Sequence, residues 1–237
     1  MSLNKRLMSS QPAPFVASEN FKVVTYTGNG GTQAITVGFK PDLVWIKERS
    51  GTGWHTWIDS TRGGSKRIVS NSTSAETTDS NRIQSFDTDG FTLGPDGDIN
   101  ENGETFVAWC WKANGGTTSS NTDGTITSTV QVNEQAGFSI VSYTGTGSAA
   151  TVGHGLDSAP EVVIVKNRSS VKNWWVWHTS LGDGTKYLKL NGTDAVASVS
   201  SIWNSTVPTS TVFSVANDGG SNGSGENIIA YCFKSTD

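Results

Sequence analysis

The chain has 237 residues, a net charge of −4 and 16 % charged residues. With no concentrated Lys/Arg stripe, that balance argues against nucleic acid as the main partner, because phosphate recognition needs one. No apolar run approaches the roughly 18 to 20 residues of a membrane-spanning helix, so no membrane insertion is expected. Twenty-seven glycines and nine tryptophans, set among alternating Val, Ile and Thr, read instead as a β-rich protein with many tight turns.

Residues 1–20 open the chain as a polar arm carrying Lys5, Arg6, Pro12, Pro14 and Phe15. It has no apolar segment of signal-peptide length, so the reading is a soluble protein made in a cytosol. The arm cannot build a core alone. It is expected either to dock on a neighbouring subunit as an attachment arm or to fold back along its own domain. Strands are predicted near 21–27, 33–39, 42–49, 54–60, 66–70, 83–93 (bent at Asp89-Gly90) and 104–112, punctuated by GNGG, RGG and GPDG. Residues 114–136 begin as a Gly/Ser/Thr/Asn linker. They continue as TITSTVQV, whose clean alternation predicts an extra strand.

From residue 137 the pattern repeats. FKVVTYTGNG from Phe21 aligns with FSIVSYTGTG from Phe138, and PDLVWIKERS from Pro41 with PEVVIVKNRS from Pro160. WHTWIDSTRGGSKRIVSN aligns with WWVWHTSLGDGTKYLKLN, pairing Trp54 with Trp174 and Trp57 with Trp177. NENGETFVAWCWK at 100–112 aligns with NGSGENIIAYCFK at 222–234. The reading is an internal duplication giving two tandem domains, 21–113 and 137–237, each an all-β antiparallel sandwich of the jelly-roll or lectin-like kind. In AWCWK, Ala108, Cys110 and Lys112 share one strand face and Trp109 and Trp111 the other. One face must line a core. Cys110 and Cys232 then become equivalent reduced core thiols and not disulfide partners.

Chemistry is sparse in the pattern. Asp98, Asn100 and Asn102 match the start of a D-x-N-x-N-G calcium loop. Its twelfth position, however, would be Trp109 where a carboxylate is needed, and the second repeat has lost most of the acids. A solvated turn with no cofactor is expected, with calcium as the alternative. Asp87, Asp89, Asp96 and Glu104 are the acids available for glycoside chemistry, and only Glu104 has a counterpart, Glu226. No catalytic site is expected. The tryptophans Trp54, Trp57, Trp174, Trp175 and Trp177 are the ligand or partner candidates: an outward indole stacks on a sugar ring or anchors a protein. The alternative is that they pack under a loop or against the sister domain. Arg49 and Arg168 are read as turn braces.

The ordered set of motifs also carries a resemblance. YTGNG from Tyr26, GFKPDLVWIK from Gly38, SFDTDGF from Ser85 and FVAWCWK from Phe106 compose it in the first repeat. GFSIVSYTG from Gly137, VKNRS from Val165 and IAYCF from Ile229 compose it in the second. The chain resembles a repeated β-domain of virion structural and tail-fibre-like proteins of tailed bacteriophages, especially marine ones. The resemblance implies a non-enzymatic virion component made in the host bacterial cytoplasm, partnered by other capsid or tail proteins and assembled as a homo-oligomer. With two repeats, a compact appendage or surface decoration held by the arm is expected. A tail-fibre adhesin for host-surface carbohydrate is the alternative, and a glycan-cleaving enzyme the second.

Overall fold

A computed structural model describes residues 15–236 of the chain. The first half runs β1 (Phe21–Thr27), β2 (Gln33–Thr36), β3 (Leu43–Glu48), β4 (His55–Asp59), β5 (Lys66–Val69), β6 (Thr77–Thr78), β7 (Ile83–Asp87), β8 (Gly90–Leu93), the single helical turn α1 (Gly97–Asn100) and β9 (Thr105–Trp111). β10 (Ser119–Asn121) and β11 (Ser128–Asn133) follow. The second half runs β12 (Phe138–Thr144), β13 (Ala150–Gly153), β14 (Val162–Asn167), β15 (Trp174–His178), β16 (Lys186–Lys189), β17 (Ala197–Ser198), α2 (Ser200–Trp203), β18 (Val212–Val215), α3 (Gly219–Asn222) and β19 (Asn227–Phe233). The protein is all-β, and every ladder between named strands is antiparallel.

One large sheet has the order β1-β9-β3-β4-β5-β6 and the other β10-β11-β12-β19-β14-β15-β16-β17. Rank by rank, six strands of the second repeat the order of the first, and β11 and β10 are added beyond β12. Two small sheets complete the set, β2-β8-β7 and β13-β18. The bend anticipated at Asp89-Gly90 is the tight turn of the β7–β8 hairpin. Where β7 stands in the first half, the second half has α2, whose Ile202 and Trp203 fill the same side of the core. Of TITSTVQV, the part from Ser128 onward forms a strand, β11 (Ser128–Asn133), and its Gln131 is fully buried.

Period-2 alternation decides what each face covers. Val44, Ile46, Ile58, Phe106, Ala108 and Cys110 of the first large sheet meet Ile35, Ile83, Phe91 and Leu93 of its small sheet. In the second half Val141, Val163, Trp175, Trp177 and Cys232 meet Val152, Phe213 and Val215 in the same way. Both cysteines are unpaired and buried, and burial pushes their thiols up to about 12.

A third core lies between the two large sheets. Leu43, Trp57 and Ile68 from one face pack on Ile140, Trp174, Ile229 and Tyr231 from the other. The Trp57 ring lies 5.3 Å from that of Trp174 and 4.9 Å from that of Tyr231. The result is four layers, with both large sheets inside. Replacing Trp57 by Ala empties the centre of this middle core and is expected to cost about 3 to 5 kcal/mol. Urea unfolding of the variant measures it, and a loss below about 1 kcal/mol contradicts the placement.

Candidate functional site

The tryptophans proposed from sequence are placed by register. Trp57 stands opposite Trp45 on β3, whereas the residue of β15 opposite Ile164, the counterpart of Trp45, is Val176. The counterpart of Trp57 is therefore Val176, and Trp177 matches Ile58. This corrects the sequence pairing by one residue, and a one-residue shift on a strand exchanges its faces. Trp57 and Trp174 fall on the middle core, while Trp175 and Trp177 line the inner core of the second half. The cause is a longer connection after β15. Residues 179–185 join it to β16, where residues 60–65 suffice between β4 and β5. Both connections turn through a left-handed glycine four residues past the strand, Gly63 with φ 99° and Gly182 with φ 85°. Asn71 and Asn191 mark the true equivalence, since their side-chain oxygens accept the N–H groups of His55 and Trp174 at 3.1 and 2.7 Å.

Of the five candidates, Trp54 alone keeps substantial exposure, at 43 %. Trp57, Trp174, Trp175 and Trp177 are buried and offer no face to a ligand. Trp174 donates from Nε1 to the Val69 carbonyl at 2.9 Å, and Trp175 to Asp218 at 2.6 Å.

The calcium-like stretch is used to build a loop clasp. Asp96 accepts the N–H of Asp98 at 2.8 Å and caps α1, and Asp98 pairs with Arg67. Asn100 is fully buried. Its amide donates to the carbonyls of Gly31 and Gly94 at 2.7 and 2.9 Å, and its oxygen accepts the Asn29 N–H at 3.0 Å. Asn102 is exposed. Asn222 repeats the pattern on Ser148, Ala216 and Thr146, and Asp218 caps α3. Tyr26 and Tyr143 each donate to a carbonyl of the adjacent helical turn, at 2.7 and 2.6 Å. A Cβ on Gly28 would lie 2.2 Å from the Glu101 oxygen, so the YTGNG glycine is required by close approach. Among the described residues no group of three or more His, Cys, Asp or Glu side chains could hold a metal ion.

Of the other acids, Asp89 is exposed at the β7–β8 turn and Glu104 is half-buried, while the rest are engaged. Asp87 accepts the Thr92 hydroxyl at 2.7 Å, Asp96 pairs with Arg82 at 3.1 Å, and Glu226 accepts the Asn167 amide at 2.6 Å. Of the arm, Lys5, Arg6, Pro12 and Pro14 lie outside the described residues. Phe15 is 42 % exposed and borders an open hollow with Glu134, Asp157 and Lys234 of the second half.

The densest polar constellation was not anticipated from sequence. Arg62, fully buried in the turn after β4, donates to Asp59 at 2.5 Å, to Glu76 at 3.0 Å and to the Trp57 carbonyl at 3.0 Å. It also reaches the hydroxyl of Tyr231 in the second half at 3.3 Å, and that hydroxyl donates to Asp59 at 2.7 Å. Glu76 in turn accepts two bonds from Arg168, at 2.8 and 3.0 Å. The cluster is electrically neutral, two guanidinium groups against two carboxylates, and bridges the halves. Burial disfavours the Arg62 charge, but Asp59, Tyr231 and Glu76 outweigh it and hold the guanidinium above its usual range. Burial keeps Tyr231 a neutral donor, far above the ordinary phenol value. A signal existed in the sequence: Arg62 and Glu76 stand against uncharged residues, Leu181 in the corrected register and Val196, so they are charges that only one half carries.

Two more links cross the same boundary. Gln131 donates to the hydroxyls of Ser60 and Thr61 at 2.9 and 2.7 Å. Lys166 donates to the Thr73 carbonyl at 3.1 Å, and burial lowers its ammonium to about 8. Such an arrangement is suited to holding two sheets in one orientation.

Residues 16–237 match the family described as Domain of unknown function (DUF7483), and the chain belongs to that family. Neither the curated proteins nor the solved structures contain a match.

Burial would raise the Glu76 carboxyl, but the hydrogen bonds and charges of Arg168 and Arg62 prevail and hold it below its ordinary value. A carboxylate with a lowered folded pKa stabilises above its unfolded value and loses that contribution as pH falls through the folded one. Glu76→Gln is therefore expected to cost about 2 kcal/mol at neutral pH. The gap to the native chain should close as pH drops from the ordinary carboxylate range downwards. Denaturation of both proteins from pH 7 to pH 3 checks this, and a gap that stays constant contradicts it.

Proposed function

We propose that this chain is a non-enzymatic structural component of a tailed-phage virion, displayed on the particle surface and made of two copies of one sandwich unit. The observation that carries the reading is where the resemblance motifs go. YTGNG clasps the helical turn α1, the PDLVWIK strand supplies Leu43 to the middle core and Val44 to the inner one, and AWCWK supplies Ala108 and Cys110 to the inner core. All of them are spent on a scaffold. A sequence pattern selected for rigidity suits a particle component better than an enzyme.

In its finer form the proposal is an internal duplication with units at 21–113 and 137–237, joined by 114–136. The shared strand order and the paired clasps at Asn100/Asn222, Asp96/Asp218 and Tyr26/Tyr143 support it. In each unit the first strand pairs with the last, while the second strand crosses to the small sheet, as in a jelly roll. The burial of four of the five tryptophan candidates leaves a glycan-stacking role to Trp54 alone, which favours decoration over adhesion.

Immunogold labelling of intact, washed particles with antibodies raised against the purified protein tests the reading. Regular label on the particle surface is expected. Protein confined to the soluble fraction of the infected host, with particles unlabelled, would overturn it.

A further inference from the structure

The two large sheets differ at one edge. In the second half, the edge of β12 is covered by β11, in a register running from Thr129 opposite Ser142 to Asn133 opposite Phe138. In the first half, β1 is the terminal strand of its sheet, and among the described residues no strand pairs with its outer side. The uncovered edge is long and apolar. Phe21 and Val23 are 39 and 46 % exposed, and Lys22, Thr25 and Thr27 are exposed too.

The ladder fixes which backbone groups are free. Gly28 donates to Glu104 and Lys112 to Asn20, so the even-numbered positions of β1 exchange hydrogen bonds with β9. The N–H and C=O groups of Phe21, Val23, Thr25 and Thr27 point the other way. The Thr27 carbonyl accepts the Gln33 amide at 3.0 Å. A strand edge with these features is a template for another strand unless it is blunted by Pro, a bulge, a run of charged side chains or a covering helix or loop. Phe21–Thr27 has no Pro, its pairing with β9 runs without a register shift, and its one charge is Lys22.

We propose that this edge is the seam of a homodimer, in which the β1 strands of two copies pair antiparallel about a two-fold axis through Val24. Three observations select a second copy as the occupant. The protein already covers the equivalent edge of its other half with an antiparallel strand, so this sheet accepts one there. FKVVTYT is self-complementary in that register: Val23 meets Thr25, Phe21 meets Thr27, and Lys22 meets Tyr26 of the other copy. No like charges face each other. The apolar row is also continuous with the middle core, since Val23 lies beside Trp109, Trp109 beside Trp45, and Trp45 beside Trp57, with ring spacings of 5.0 Å along the tryptophans. Pairing at β1 extends that row from one copy into the next.

The test is sedimentation velocity on the full chain over a concentration series, with two variants. Thr25→Pro removes an outward N–H without touching the β9 ladder, a substitution edge strands tolerate. It is expected to weaken the dimer at least about tenfold, because the two-fold loses the bond twice. Val23→Lys should do the same by placing charge at the seam. Circular dichroism should show both variants folded. Val24→Cys fixes the register: in a non-hydrogen-bonded pair the Cα atoms lie about 4.5 Å apart, within disulfide range, so oxidation should yield a covalent dimer. A native chain that stays monomeric up to about 100 μM, where weak specific contacts are populated, overturns the proposal. A dimer insensitive to both Thr25→Pro and Val23→Lys overturns it too. So does a monomer that dimerises only when residues 2–14 are deleted, which would make the chain's own arm the occupant.

Discussion

A sheet that carries apolar side chains on both faces has to be covered twice. Both large sheets here are of that kind. Their inner faces are covered by the small sheets, which leaves Leu43, Trp57 and Ile68 on one and Trp174, Ile229 and Tyr231 on the other. Among the described residues, each half is the cover the other has for these side chains. The remaining features of the molecule follow from this mutual covering. The connection between halves must let the second sheet turn back onto the first, and β11 does so with Gln131 anchored across the boundary. Charges near the boundary must be neutralised within it.

Magnitudes separate the roles of the two kinds of contact. A buried aromatic side chain removes roughly 150 to 250 Å² from water, worth about 4 to 6 kcal/mol at 25 cal/mol per Å². Several such rings meet in the middle core, so the apolar contact dominates the energy of joining the halves. A buried ion cluster gains little net energy, because desolvation cancels most of the attraction, yet losing a fully buried member such as Arg62 costs about 3 to 5 kcal/mol. The cluster of Asp59, Arg62, Glu76, Arg168 and Tyr231 therefore sets the mutual orientation of the sheets more than it adds to their affinity. A sheet slipped by one residue would leave Arg62 buried without a partner.

Much of the fold was legible in the sequence. Alternation in AWCWK placed Cys110 on a core face, the turn clusters bounded the strands, and the repeat foretold the matching strand orders. What was hidden has physical causes. Helical turns of four residues, such as α1 and α3, are too short to show a 3.6-residue period. The pairing of Trp57 with Trp177 was tempting because like residues align, but the extra residue lies beyond β15 and not before it. Most of all, a two-faced apolar strand announces that both faces are covered and does not say by what. The charges that one half carries and the other lacks, Arg62 against Leu181 and Glu76 against Val196, were the available clue to where the halves meet.

The account makes the two halves one cooperative body. Differential scanning calorimetry of the whole chain tests that most directly. A single transition is expected, with calorimetric and van't Hoff enthalpies equal for the full length, because neither half keeps its outward face covered once the other melts. Two separable transitions, or a van't Hoff enthalpy near half the calorimetric one, as two independent halves would give, would contradict it.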